Sequence, residues 1–238
     1  MAALRLLHTN DLHGKLTEGK LPFLIAQRRE VDVFFDSGDA VSVGNLGAPL
    51  LRPDPIWPRL AAADCTAGVP GNRESHLETH LFARKREGCA HPLVCANLFD
   101  KAGALVLPGS FVLQINGLRV GVVGTMVPMV TARMNARHIS AFLWTEPVAA
   151  AEAEGRLLRD EVDVLIALTH IGLRRDKDLA ATGVFDLILG GHSHDVLTEP
   201  VRIGSTFIAQ GGSHARFVGR YSWNGTLTEA ALIPWEEA

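Results

Sequence analysis

Short apolar runs recur along the chain and close on Gly, Asp, Asn or His. They are Leu4 to His8, Val31 to Phe35, Cys65 to Val69, Leu93 to Ala96, Val120 to Gly124, Val162 to Leu168 and Phe185 to Leu189. Brief, continuous and rich in β-branched side chains, they predict strands buried on both faces, as in sheets covered by helices. Helices are predicted between them. Leu21 to Arg29 has Pro22 near its start, and Glu74 to Glu87 places Leu77, Leu81 and Phe82 on one stripe before stopping at Gly88. Thr145 reads as an N-cap with Pro147 just inside, opening an Ala-rich helix to about Asp160, and Arg174 to Thr182 ends at Gly183. Two hairpins are predicted at Asn-Gly turns. Phe111 to Ile115 and Leu118 to Val123 flank Asn116-Gly117, and Phe217 to Trp223 precedes Asn224-Gly225. Thr206 to Ala209 is one more apolar strand, and the tail from Trp235 is expected to fray. Hairpins among buried strands make the sheet mixed. With no internal repeat or linker in view, one α/β domain over residues 1–238 is expected.

Composition narrows the class. The chain has 238 residues, 47% of them hydrophobic, which suffices for one substantial core. A net charge of -3 argues against a nucleic-acid scaffold, which needs clustered positive charge. The basic triplet Arg84-Lys85-Arg86 reads as the solvated end of a helix. Cys65, Cys89 and Cys95 lack the spacing of a zinc or redox motif, and Cys65 and Cys95 fall in apolar stretches as small hydrophobes. The first strand begins almost at Met1, leaving no room for a signal core, and no apolar run nears the ~18 residues that span a bilayer. A cytoplasmic protein without membrane partners is expected.

The chemistry collects where strands end. The first strand is followed by Asp11-Leu-His13-Gly, the second by Asp36-Ser-Gly-Asp39 and the third by Gly71-Asn72-Arg73-Glu74. Later strands deliver His170 and Gly190-Gly191-His192-Ser-His194. Ligand sites in α/β sheets form outside the carboxyl ends of strands. Asp11/His13 and His192/His194 are i,i+2 pairs, so in an extended segment both side chains of a pair project to one side. Any one of these residues alone reads as a packed or surface group, and Asp36 to Asp39 alone as an ordinary turn. Five coincident strand-end signals instead point to metal binding. Imidazole, carboxylate and amide oxygen without thiolate suit Mn, Zn, Fe, Co or Ni. Seven ligands exceed one tetrahedral ion, and two divalent ions about 3.5–4 Å apart are the usual arrangement for phosphoryl displacement.

Taken in order, His8-Thr-Asn-Asp11-Leu-His13-Gly, Asp36-Ser-Gly-Asp39, Gly71-Asn72, Thr169-His170 and Gly191-His192-Ser-His194 resemble the calcineurin-like metallophosphoesterases, in their 5'-nucleotidase branch. The resemblance implies a four-layer α/β/β/α sandwich of two mixed β-sheets flanked by helices. It implies that Asp11, His13 and His194 hold one metal and Asn72, His170 and His192 the other, with Asp39 bridging. It also implies hydrolysis of a small phosphorylated substrate, a nucleotide first, by metal-bound hydroxide attacking phosphorus. Asp36 is expected to orient loop groups. Two departures stand out. The family's Gly-Asn-His-Glu, with Asp two residues on, reads here with Arg73 and His76 at the catalytic positions. Arginine stays charged and cannot hand a proton to the leaving group, a transfer typically worth about 10²–10⁴-fold. Secreted relatives also carry a C-terminal domain that supplies the base pocket, and this chain is expected to lack it.

Arg73 therefore has two readings. It binds substrate phosphate together with Asn72, or it pairs with Glu74 or Glu78 and has left catalysis. His76 or His214 stands as a replacement acid, and His214 also as a phosphate contact. His8 reads as a satisfied core histidine and His80 as solvated. His91 and His138 sit in loop-like sequence with nothing to recommend them. An active phosphomonoesterase or phosphodiesterase is the first reading, a catalytically impaired metal- or phosphate-binding module the second. A phosphoprotein phosphatase is the third, weakened by the lack of a docking extension.

Overall fold

The computed structural model describes residues 3–44 and 52–236. In chain order the elements are β1 (Leu4–Thr9), α1 (Leu21–Arg29), β2 (Val33–Asp36), α2 (Ile56–Ala62), β3 (Ala67–Gly68), α3 (Thr79–Lys85), β4 (Leu98–Asp100), β5 (Ser110–Ile115), β6 (Leu118–Met126), β7 (Phe142–Trp144), α4 (Pro147–Leu158), β8 (Val164–His170), α5 (Leu173–Ala180), β9 (Leu187–Leu189), β10 (Val201–Ile203), β11 (Thr206–Ala209), β12 (Phe217–Trp223) and β13 (Leu227–Pro234). One sheet runs β13-β12-β1-β2-β3 and the other β10-β11-β9-β8-β6-β5, with β4 and β7 forming a separate ribbon. Both large sheets mix parallel and antiparallel pairs.

Alternation along the strands creates the layers. On β1, Leu6 joins a cluster between the sheets while Leu7 joins another beneath the helices, and on β2 Val33 and Phe35 part from Phe34 in the same way. On β8, Val164, Ile166 and Leu168 face the other sheet, while Leu165 and Ala167 pack on Ala151 of α4 and Leu179 of α5. Leu24 of α1 and Ile56, Trp57 and Leu60 of α2 close the opposite outer layer. Three apolar seams thus separate four layers, α/β/β/α, as expected. Each fully buried Leu, Val or Phe contributes about 1.5–3 kcal/mol.

Local signals placed several elements well. Helix α1 has the predicted bounds, with Pro at its first turn. Both Asn-Gly hairpins form, and Asn116 and Gly117 take φ of +52° and +81°, the left-handed pair such a turn requires. The tail expected to fray from Trp235 is instead tied down there, Trp235 Nε1 donating to Lys20 O at 3.0 Å and its N–H to Arg216 O at 2.9 Å, while residues 237 and 238 lie outside the described residues.

Other expectations fail for identifiable reasons. Leu93 to Ala96 is not a strand, because its backbone is shared between sheets: Val94 N–H donates to Gly68 O, Cys95 N–H to Pro108 O and Ala96 N–H to Gly124 O. A Cβ on Gly124 would run into Val94 O. The N-cap of α4 is Glu146 rather than Thr145, its carboxylate accepting from Ala149 N–H at 2.7 Å. The helix expected from Glu74 begins only at Thr79. Glu74 and Ser75 are committed elsewhere, with Ser75 Oγ donating to Gly71 O at 3.1 Å. The triplet Arg84 to Arg86 is not a solvated face either. Lys85 is fully buried, and the Arg86 guanidinium lies over the Phe82 ring at 4.0 Å. Helix α2 and strands β4, β7 and β10 escaped the pattern, α2 because Pro55 and Pro58 mask it.

Candidate metal centre

Strands β1, β2 and β3 run parallel, as do β8 and β9, so both sheets turn their carboxyl ends to one rim. There the seven residues picked from the sequence converge, in two groups. In the first, His13 Nε2 lies 3.0 Å from His194 Nε2, and Asp11 Oδ1 lies 3.2 Å from His194 Nε2 and 3.7 Å from His13 Nε2. In the second, Asn72 Oδ1 lies 3.2 Å from His170 Nε2 and 3.0 Å from His192 Nδ1. Asp39 Oδ1 lies 3.5 Å from His170 Nε2, and ligand atoms of Asp11, Asp39 and His170 all fall within 4.8 Å of one another, linking the groups.

The convergence does not come from extended backbone. Asp11, His13, Asp39, His192 and His194 all take positive φ, between +49° and +79°. Non-glycine residues there cost of order 1–3 kcal/mol each and cluster at functional sites. The left-handed turns also change the pairing. His192 and His194 do not project together: one joins Asn72 and the other joins Asp11.

Surrounding groups aim each side chain. Asp11 Oδ2 accepts from Asn10 Nδ2 and from His192 N–H, both at 2.8 Å, while buried Oδ1 has no hydrogen-bond partner. Burial pushes the Asp11 carboxyl up, but His170, His194, Asn10 and the His192 N–H outweigh it and hold the pKa at about 2. His170 Nδ1 donates to Ser37 O at 2.7 Å, so in the neutral ring Nε2 presents a lone pair to Asn72 Oδ1, itself an acceptor. Burial lowers the pKa of His170, yet the charges of Asp39 and Asp11 prevail and raise it. Burial and the Arg73 charge hold His13 down to about 4, leaving that ring neutral. Imidazole nitrogens, an amide oxygen and two carboxylates meeting this closely, and drawn toward the acidic charge of Asp11 and Asp39, fit divalent cations, which take such groups as deprotonated N and O donors.

The loops are fixed by buried acids that the pattern of apolar runs did not flag. Glu74 accepts from the N–H groups of Asp39 (2.9 Å), Gly71 (2.7 Å) and Val41 (3.0 Å). Asp36 accepts from Thr9 Oγ1 and from Gly38 N–H, and burial pushes it up to about 8. Asp176 accepts from Thr169 Oγ1 at 2.6 Å and Gln210 Nε2 at 2.9 Å, and burial pushes it up to about 7. Asp36 was expected to orient loop groups and does so, and Glu74 stood within a recognised block without a role. Asp176 left no signal, being one of two acids on a polar helix.

Arg73 pairs with neither Glu74 nor Glu78. Its Nε lies 3.7 Å from Asp39 Oδ2, and its backbone N–H donates to Asp39 Oδ1 at 2.7 Å. His76 is not at the centre. Its Nδ1 accepts from Glu78 N–H at 3.0 Å, and the charges acting on it are those of Lys85, Glu78 and His80. His214 does reach the centre, with its ring centroid 4.7 Å from that of His13. His80 is exposed beside Glu78, and His138 is exposed. His8 is buried but satisfied at one nitrogen only: Nε2 meets Ser37 Oγ at 3.0 Å, while Nδ1 has no partner. His91, passed over in the sequence, is buried against Trp57 and Cys89.

A family model described as calcineurin-like phosphoesterase matches residues 4–196. The chain is 23% identical over 283 residues to a 5'-nucleotidase of Vibrio cholerae, covering 97% of this chain and 51% of that protein. It is 31% identical over 198 residues to an apyrase of Tabanus yao, covering 66% of this chain and 35% of the relative. A 5'-nucleotidase precursor from Thermus thermophilus superposes with a TM-score of 0.78 at 18% identity, over 98% of this chain and 54% of that one. The chain spans about half, or less, of these relatives' lengths. No helix among the described residues is long and apolar enough to cross a membrane.

Proposed function

Since the chain belongs to the calcineurin-like phosphoesterase family, we propose that it hydrolyses phosphate esters of small soluble molecules at the crevice between its sheets, using two divalent cations. Asp11, His13 and His194 would hold one ion, Asn72, His170 and His192 the other, and Asp39 both. The observation that carries this reading is the convergence of acceptor atoms around Asp11 Oδ1, which has no hydrogen-bond partner of its own. Bound ions of this kind lower the pKa of water from about 15.7 toward 7 and neutralise charge growing on phosphoryl oxygens.

The chain's own groups orient the substrate. Arg73, beside Asp39 and partly exposed, is placed to pair with a phosphoryl oxygen and steady its charge without giving up a proton. A cavity of about 470 Å³ opens beside His192, and its lining, which includes Asp195 and an Arg175 paired with Glu146, keeps Arg174 and Lys177 as cations for the anionic body of a nucleotide. Nucleoside 5'-monophosphates are the first choice of substrate, because relatives across the whole chain are 5'-nucleotidases. Free thiols at Cys65, Cys89 and Cys95 favour action in a reducing compartment such as the cytoplasm.

A second reading, a catalytically impaired metal- or phosphate-binding module, is favoured by His76 turning its Nδ1 to Glu78 N–H. No acid at the family's position then reaches a leaving group, so aryl phosphates should turn over faster than alkyl ones. The test is hydrolysis of p-nitrophenyl phosphate with Mn²⁺, followed by monophosphates, 2',3'-cyclic nucleotides and aryl diesters. Turnover abolished by Asp39→Ala and by His192→Ala supports the enzyme, and absence of turnover on every ester supports the module. Arg73→His with His76→Asp should raise activity on nucleoside monophosphates. No gain would refute the missing-acid account.

A further inference from the structure

Across from His13 and His194, the loop between β11 and β12 brings in a third imidazole. The backbone N–H of His214 donates to Asp11 O at 2.8 Å, tying this loop to the one that carries the first group. His214 and Ala215 take φ of +60° and +51°, two non-glycine residues in succession in the left-handed region, and Ala215 is buried. That backbone is held against its preference, and it sets the ring beside the other two. The His214 centroid lies 4.7 Å from His13 and 5.8 Å from His194, and one ligand atom from each of the three rings falls within 4.8 Å of the others. His214 Nδ1 contacts Ser213 Oγ at 2.8 Å, which leaves Nε2 uncommitted.

We propose that His214 is a fifth protein side chain on the cation held by Asp11, His13, His194 and Asp39. The inference rests on the reading of that group as a cation site and adds a ligand that the strand-end blocks do not contain. The resulting donor set, three imidazoles with carboxylates from Asp11 and Asp39, is richer in nitrogen than the neighbouring set of Asn72, His170, His192 and Asp39. Imidazole suits Zn, Co, Ni or Fe, whereas oxygen-rich sets suit Mn or Mg. The two positions therefore differ in preference, and the one at His214 selects the softer ion.

The variant for testing is His214→Gly, because glycine accepts the left-handed backbone and offers no ligand atom. Metal-free protein is titrated with Zn²⁺, Co²⁺ and Mn²⁺ by calorimetry, and the visible absorption of the Co²⁺ form is recorded. Far-UV circular dichroism checks that the variant is folded. The expected result is two ions bound by the wild type, with the variant binding one of them at least tenfold more weakly. Its Zn²⁺ over Mn²⁺ preference should fall and its Co²⁺ spectrum change. Wild-type affinities with an unchanged Co²⁺ spectrum overturn the proposal. So does a variant that keeps both ions but loses affinity for inorganic phosphate, which makes His214 a phosphate contact. If Asp11→Ala leaves ion binding intact, the cation reading itself fails, independently of His214.

Discussion

Glu74 holds Asp39 in place by the backbone. Its buried carboxylate accepts the Asp39 N–H at 2.9 Å and, with the same oxygen, the Gly71 N–H at 2.7 Å, while the other oxygen takes Val41 N–H at 3.0 Å. Burial and the nearby Asp39 charge raise its pKa, so the arrangement works against both desolvation and repulsion. Three N–H groups from two loops meet on one acceptor, which fixes the linking carboxylate relative to Asn72. Glu74→Gln replaces one acceptor oxygen with a donor and strands one N–H. A loss of about 1–3 kcal/mol in denaturant unfolding is expected. Affinity for divalent ions should fall about 10–100-fold, the usual effect of removing a group that orients a ligand. Unchanged titrations would refute this role.

Gly71 is the second constraint on Asp39. A Cβ there would fall within the Asp39 carboxylate and against its backbone N. Gly71→Ala should leave a folded protein, destabilised by about 1–3 kcal/mol from local overpacking. It should no longer bind two ions, which calorimetric stoichiometry reads directly. Two ions at wild-type affinity would show that the loop can move aside.

Lys85 performs a comparable task by holding backbone carbonyls of the loops around the site. Its ammonium donates to Arg73 O at 2.8 Å, Ser75 O at 3.0 Å and Gly44 O at 3.1 Å, and burial lowers its pKa to about 8. Lys85→Met removes these donors and leaves buried carbonyls unpaired. The expected cost is about 1–3 kcal/mol, the usual penalty for buried polar groups left without a partner. Limited proteolysis should also cut more readily between Asn72 and Glu78. A variant as stable and as resistant as the wild type would contradict the assignment.

His91 makes acid stability measurable apart from the candidate metal site. Burial against Trp57 and Cys89 lowers its pKa from 6.5 to about 4, so the folded state favours the neutral ring. A group depressed on folding contributes stability above its unfolded pKa and loses it as pH falls through the folded one. The window is therefore about pH 6.5 down to 4, and the loss is at most about 3 kcal/mol. In metal-free protein, His91→Leu should flatten urea stability across that window relative to the wild type. Parallel pH profiles would exclude His91 as the source.

Much of this protein is local in origin. Apolar runs of strand length ending in Asp, Asn, Gly or His announce both the strands and the side chains beyond them, because a strand's carboxyl end and the turn after it are neighbours in sequence. The Asn116-Gly117 hairpin and helix α1 follow from turn chemistry and from Pro22 for the same reason. Tertiary structure decided how His192 and His194 part, against their i,i+2 spacing and as the family resemblance implied. That split depends on left-handed backbone held by contacts such as His192 N–H to Asp11, 181 positions away along the chain. It alone turned Leu93 to Ala96 from a strand into a bridge between sheets, buried Lys85 within a basic triplet and drew Glu74 out of a helix. In each case one long-range hydrogen bond or close backbone approach outweighs local propensity, and no period along the chain encodes which distant group supplies it.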